Sequence, residues 1–227
     1  MSTEPGPGNA PAAAEVQSWR LVTTLAVAGM LAGLLIVLVF QWAHPRILDH
    51  QERAVTAAVD VVLSGPERTE RYFVVDGELR AEAPEGSDTL KLARVFLGFD
   101  ASDAPIGYAV RGGEAGFQDI ITVLFGYHPA RDEVLGMLVL DNKETPGLGD
   151  RIVKDMAFVE AFQGVRAPIR GVKAGSGSGA EAEVDMITGA TISSRAVIDI
   201  INHRIEALGP ILKRHLETRV AGSGASQ

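Results

Sequence analysis

The chain has 227 residues, 46% of them hydrophobic, with 29 acidic against 21 basic side chains (formal charge −8) and no cysteine. That length holds one ordinary domain with accessories, and the missing thiols exclude a disulfide scaffold, a cysteine-ligated iron–sulfur cluster and a thiol nucleophile while leaving the redox compartment open. An acidic chain with only 6% aromatic residues has neither the basic surface nor the stacking platforms that binding nucleic acid requires.

The first 18 residues, MSTEPGPGNAPAAAEVQS, are rich in Pro, Gly and Ala and read as a disordered tail. Residues 19–42 read as a transmembrane anchor. Leu21 to Phe40 carries no charge, and twenty helical residues rise about 30 Å, the thickness of a hydrocarbon core. Trp19 and Trp42 stand just outside its ends, where indole rings favour the membrane interface. A cleaved signal peptide is the alternative, but the apolar run is longer than an h-region and the residues after it form no small-x-small site. Gly29 and Gly33 form a GxxxG spacing able to seat a partner helix, though such glycines are also common in isolated spans. Arg20 before the span and Arg46 and Arg53 after it do not decide its orientation.

Residues 43–66 read as a helical stalk. A helix continuing out of the membrane is expected over Ile47–Leu63 with Pro45 at its start, ended by Ser64-Gly65-Pro66. Residues 67–220 read as one α+β domain. A strand over Arg71–Val75 turns at Asp76-Gly77 into a hairpin, and Ala81–Thr89 is an acidic loop. Further strands are expected over Arg94–Phe99, Gly107–Arg111, Phe117–Tyr127 and Val134–Asp141. Asp150 is placed to cap a helix over Arg151–Gln163. Val165–Glu181 reads as a flexible Gly/Ser-rich turn, Ala182–Met186 as a short strand, and Ser193–Leu208 as an amphipathic helix stopped by Gly209-Pro210. Residues 221–227 read as a second disordered tail. The fold class is therefore one N-terminal transmembrane helix followed by a mixed, mostly antiparallel sheet with packed helices.

Two segments carry candidate chemistry. In Asp185-Met186-Ile187-Thr188-Gly189-Ala190-Thr191, Gly189 and Ala190 admit another group close to the backbone. Thr191 stands at a strand-to-helix junction, where free N–H groups and the helix dipole favour a phosphate. As a bare pattern the same residues also describe an ordinary N-cap by Thr191, Ser193 or Ser194. In Asn142-Lys143-Glu144-Thr145-Pro146-Gly147-Leu148-Gly149-Asp150, a polar loop presents the single apolar Leu148, which suits a flat ligand with a polar rim. It is equally a strand-to-helix connection capped by Asp150.

Together the two segments are specific. TGAT at Thr188–Thr191, preceded by Asp185, resembles the flavinylation motif of FMN-binding domains, and NKETPGLGD at Asn142–Asp150 resembles their flavin-contacting loop. With a membrane span in front, the chain resembles the G subunits of Rnf electron transport complexes from about Trp19 to about Val220. The resemblance implies that a separate flavin transferase attaches FMN covalently, through a phosphoester bond, to Thr191. It implies that Asp185, Thr188, Gly189 and Ala190 form the segment that transferase recognises, and that Glu144, Thr145, Leu148 and Gly149 lie against the isoalloxazine. Thr188 stands where the family often has Ser. No basic residue within the motif activates Thr191, which fits an acceptor modified by another enzyme. The chain is then an electron carrier among the other subunits of an ion-translocating ferredoxin:NAD oxidoreductase, anchored in lipid at the bacterial inner membrane with its flavin domain facing the periplasm or cell exterior. No complete independent active site, and no catalytic residue of its own, is expected.

Two alternatives stand beside this reading. The C subunit of sodium-pumping NADH:quinone oxidoreductases has a similar anchor and motif, and a membrane-anchored assembly module with a non-functional flavin motif is a different class altogether. No GxGxxG fingerprint points to NADH binding by this chain, and the five histidines show no metal-ligand spacing.

Overall fold

A computed structural model describes residues 18–87 and 92–223. Residues 1–17 and 224–227 of the expected tails, residues 88 and 89 of the acidic loop, and residues 90 and 91 lie outside the described residues. The chain divides into two units, up to Gln51 and from Glu52 onward.

Helix α1 spans Ser18–Val62. Its stretch Trp19–His44 is long and apolar enough to cross a membrane, with none of it buried in protein. The helix continues beyond this stretch to Val62, where the sequence places a helix leading out of the membrane. It runs through Pro45, which forgoes one backbone hydrogen bond of the helix.

In the second unit the end of α1 offers Val55, Ala58, Val59 and Val62 to one face of a sheet. The helix stops where Ser64 and Gly65 take positive φ (59° and 75°), and the Gly65 N–H closes the turn on the Asp60 carbonyl at 2.7 Å. The sheet then follows as β1 (Arg68–Val75), β2 (Glu78–Arg80), β3 (Arg94–Phe99), β4 (Pro105–Ala115), β5 (Ile120–His128) and β6 (Glu133–Asp141). Asp76 and Gly77, with φ of 52° and 77°, form the expected two-residue hairpin turn between β1 and β2. After β6 come α2 (Arg151–Lys154), α3 (Met156–Glu160), β7 (Val165–Arg166), β8 (Arg170–Lys173), β9 (Glu183–Met186) and α4 (Thr191–Ser223). Seven strands pair antiparallel in the order β2-β1-β3-β4-β5-β6-β7, while β8 and β9 form a parallel pair. This is the mixed, mostly antiparallel sheet with helices that the sequence leads one to expect.

The alternation along β5 builds the core. Ile121, Val123, Phe125 and Tyr127 join the cluster that holds Val197, Ile200, Ile201 and Leu208 of α4, whereas Leu124 joins the cluster under α1. The sheet is thus covered on both faces, and both Leu124 and Phe125 are fully buried.

Three local expectations fail, each for an identifiable reason. The single helix over Arg151–Gln163 splits at Asp155, whose extended backbone (φ −82°, ψ 94°) lets its side chain cap the Phe158 N–H; Asp150 makes no such cap bond. The supposed flexible stretch Val165–Glu181 contains β7 and β8, because Val165 and Ile169 are core residues and the Asn202 side chain exchanges two 2.8 Å bonds with the Ile169 backbone. Helix α4 does not stop at Gly209-Pro210. Beyond that pair Leu212 and Leu216 are buried, and two such side chains at about 1.5–3 kcal/mol each offset the ~3 kcal/mol cost of an interior proline.

Candidate functional site

The first turn of α4, the loop after β6 and the β4–β5 turn converge on one groove of about 300 Å³. A tight turn over Ile187–Ala190 delivers α4 to it. The Ala190 N–H bonds the Ile187 carbonyl at 3.0 Å, and Gly189 takes φ 86°, which a glycine adopts without strain. Ser194 locks this turn from within. Its buried hydroxyl donates to the Ala190 carbonyl (2.9 Å) and accepts from the Ile187 N–H (3.2 Å). Arg151 holds the outside of the turn, donating to the Thr188 carbonyl at 2.8 Å.

Thr191 is the first residue of α4 and is exposed. It lines the groove, beside Ile192, Leu148 and Phe117, which are 57%, 53% and 66% exposed. The N–H groups of Thr191, Ile192 and Ser193 precede the intrahelical ladder and have no backbone acceptor among the described residues. They leave a partial positive charge at the helix end. Arg195, one turn on, shares an adjoining hollow of about 200 Å³ with Thr191.

Glu144 lies beneath the groove rather than on its open face, only 5% exposed. One carboxylate oxygen accepts from the Ser193 hydroxyl at 2.7 Å and the other from the Gln118 N–H at 3.1 Å. Two glycines make room for it. A Cβ on Gly116 would fall 2.5 Å from one oxygen, and one on Gly149 would collide with the other. Burial alone would raise the Glu144 pKa, but the Ser193 hydroxyl and the N–H groups of Phe117, Gln118 and Asp119 hold it below the ordinary glutamate value. The carboxylate is therefore ionised and joins three chain segments under the groove. Thr145 adds a hydroxyl bond to Gln118 (2.9 Å), and the Asp150 side chain accepts from the Gly147 N–H (2.7 Å) to fix the loop.

Of the residues singled out in the sequence, Thr145, Leu148, Gly149, Gly189, Ala190 and Thr191 gather at this groove. Thr188 and Asp185 line a different cleft of about 590 Å³ with Arg151, Asp155 and Glu183, and Asp185 there accepts from the Gly175 N–H at 3.0 Å. The sequence gives no sign of Phe117 at the site or of the Ser193–Glu144 bond. Its apolar character places Phe117 in a strand, whereas β5 begins only at Ile120 and leaves it in the turn.

The residues at the groove suit FMN. An exposed hydroxyl with open N–H groups can receive a phosphate, and the apolar side chains of Phe117, Leu148 and Ile192 offer flat contact to a ring system.

Comparison with known proteins bears out the resemblance read from the sequence. Residues 116–206 match the model of the FMN-binding domain family. The G subunit of the ion-translocating oxidoreductase complex of Methanosarcina acetivorans is 26% identical over 189 residues, covering 82% of this chain and 92% of that protein. The protein of the same name from Shewanella piezotolerans is 33% identical over 87 residues, which span 38% of this chain and 41% of that relative's length. The crystal structure of NqrC from Shewanella oneidensis superposes with a TM-score of 0.58 at 23% identity, over 73% of this chain and 97% of its own, and so shares the fold.

Proposed function

We propose that this chain is a membrane-anchored electron carrier that bears FMN on Thr191 through a phosphoester bond and serves as the G-type subunit of an Rnf-like ion-translocating oxidoreductase complex. The observation that carries the attachment site is the contrast among four nearby hydroxyls. Ser193 and Ser194 are buried and committed to Glu144 and Ala190. Thr188 lines the other cleft. Only Thr191 is both exposed and at the groove.

FMN would supply the redox chemistry. The chain's own residues would hold it: the N–H groups of Thr191 to Ser193 at the phosphate, and Leu148, Phe117 and Ile192 against the ring. A tether prevents loss of the carrier between electron transfers. A separate flavin transferase performs the attachment, because among the described residues no side chain bonded to Thr191 is a base able to activate its hydroxyl. Residues 19–42 anchor the chain in the inner membrane, and residues 67–220 form the flavin domain on the periplasmic or external side. The G-type relatives support the Rnf assignment. The C subunit of a sodium-pumping quinone reductase is the second reading, supported at the level of fold; the subunits that co-purify from native membranes separate the two.

The test is co-expression with a flavin transferase, followed by flavin fluorescence in a denaturing gel and peptide mass spectrometry. The expected result is an FMN adduct on the Thr191 peptide that Thr191→Ala abolishes without releasing the protein from the membrane. An adduct on another residue, or one undiminished in Thr191→Ala, overturns the site. Native protein that carries FMN but loses it on denaturation overturns the covalent bond. A protein with no flavin in either state supports the assembly-module alternative.

A further inference from the structure

A second cleft, of about 490 Å³, has no part in the groove just described. It forms because β4 outruns its neighbour. Val110 pairs with Val95 and β3 begins at Arg94, so β4 residues from Gly112 on face no β3 partner, although they stay paired to β5. Three arginines from distant parts of the chain line this open edge: Arg94 on β3, Arg111 on β4 and Arg204 on α4.

Gly112 makes the convergence possible. A Cβ at that position would lie 2.5 Å from Ile200 Cγ2 and 2.8 Å from Arg204 Cγ. Without it the Arg204 stem lies directly over the strand and its head reaches the cleft. The charges do not balance. Arg94 donates to Glu52 at 2.6 Å, whereas Arg111 and Arg204 make no ion pair among the described residues. Two guanidiniums with no ion pair among the described residues line one cleft of a chain of net charge −8, and an anion bound there would neutralise their charge. The planar N–H forks match phosphate oxygens in pairs. Their joint charge also matches the roughly −1.5 to −2 of a phosphate monoester near pH 7.

We infer that the cleft between β3, β4 and α4 is a binding site for a phosphate group, held by Arg111 and Arg204 with Arg94 and Thr122 beside them. A chain with a membrane-spanning helix meets phosphate groups from two sources, an anionic phospholipid headgroup, which is a singly charged diester, and a soluble phosphate ester.

The full-length protein in maltoside micelles, which contain no phosphate, tests this. Its melting temperature is followed against inorganic phosphate at constant ionic strength, and separately against phosphatidylglycerol doped into the micelles. A saturable rise is expected with at least one probe. Arg111→Gln and Arg204→Gln should each weaken the apparent affinity by about tenfold or more, a change of ~1.4 kcal/mol, while Lys173→Gln, outside the cleft, leaves it unchanged. Gly112→Ala removes no charge, and should imitate Arg204→Gln by displacing that side chain. A response to inorganic phosphate identifies a soluble ester as the ligand class, and a response to phosphatidylglycerol alone identifies the headgroup. No rise with either probe, or a rise that both arginine variants retain in full, overturns the site. Arg111 is exposed, so its variant stays decisive even where Gly112→Ala fails to fold.

Discussion

The Ser193 hydroxyl donates to the buried Glu144 carboxylate at 2.7 Å, joining residues 49 positions apart in the chain. That bond fastens the first turn of α4 to the loop after β6, and so fixes the distance between Thr191 and Leu148 across the groove. Removing the donor strands part of a buried charge. Ser193→Ala should destabilise the domain by about 1–3 kcal/mol, read as a lower melting temperature. Glu144 is held below its ordinary pKa in the folded state, so its contribution is present above the unfolded value of ~4.3 and is lost as pH falls through the lower folded one. The acid limb of the stability profile should therefore be shallower in Ser193→Ala than in the wild type. Equal limbs would mean that the bond does not set the Glu144 titration.

The two glycines of the loop predict opposite outcomes on substitution. Gly147 has φ 79° and open space around it, while Gly149 has ordinary backbone angles but faces the Glu144 carboxylate and the Ser193 hydroxyl. Gly147→Asn should cost little, since asparagine tolerates the left-handed region. Gly149→Ala should force Glu144 from its seat, reducing flavin loading as well as stability. Flavin absorbance per mole of purified protein compares the two. Full loading in Gly149→Ala would show that the loop yields without loss of the site.

Parts of this arrangement were legible from local signals. Asp76-Gly77 announces a hairpin, RVFLGF has apolar residues enough for a buried strand and matches β3 from end to end, and Thr145–Gly149 and Gly189–Thr191 stand out through glycine and proline. Local signals mislead where tertiary contacts override them. Pro210 is a strong stop signal, yet the buried Leu212 and Leu216 carry α4 past it, and Asp155 breaks a helix whose apolar periodicity looks continuous. The Ser193–Glu144 bond and the meeting of Arg94, Arg111 and Arg204 depend on sheet register and helix placement. No spacing in the sequence encodes either one.

Histidines give a separate test of the electrostatics. Burial lowers the pKa of His215, whose Nδ1 lies 2.7 Å from the Tyr108 hydroxyl, and it lowers that of His128 as well, aided by Arg131. Neutral forms are favoured in the fold, so their contribution is full above the unfolded value of ~6.5 and is lost as pH drops below it. His203 behaves oppositely: its bond to Glu114 at 2.9 Å raises its pKa. Its contribution is full below ~6.5 and disappears as pH rises through the raised folded value. His203→Gln should therefore steepen the fall in melting temperature on acidification from about pH 7.5 to about 5.5, and His215→Gln should flatten it. Parallel profiles in all three proteins would contradict these assignments.

Leu148 offers the sharpest separation of cofactor contact from folding. It is 53% exposed at the lip of the groove, and the loop that presents it is held by other residues: Asp150 bonds the Gly147 N–H, Thr145 bonds Gln118, and Glu144 bonds Ser193. A surface substitution away from such anchors usually changes stability by no more than about 0.5 kcal/mol. On the proposed attachment, Leu148→Asp should therefore fold, stay with the membrane fraction and keep FMN on Thr191, since the acceptor hydroxyl is untouched. What should change is the ring's surroundings, because a carboxylate replaces an apolar contact. Added negative charge beside a flavin disfavours taking up electrons, so the midpoint potential should fall and the absorption bands should shift. Leu148→Met, of similar volume and polarity, should restore both. An unchanged spectrum and potential in a fully loaded Leu148→Asp protein would place the ring elsewhere, leaving Phe117 and Ile192 to be tested in the same way.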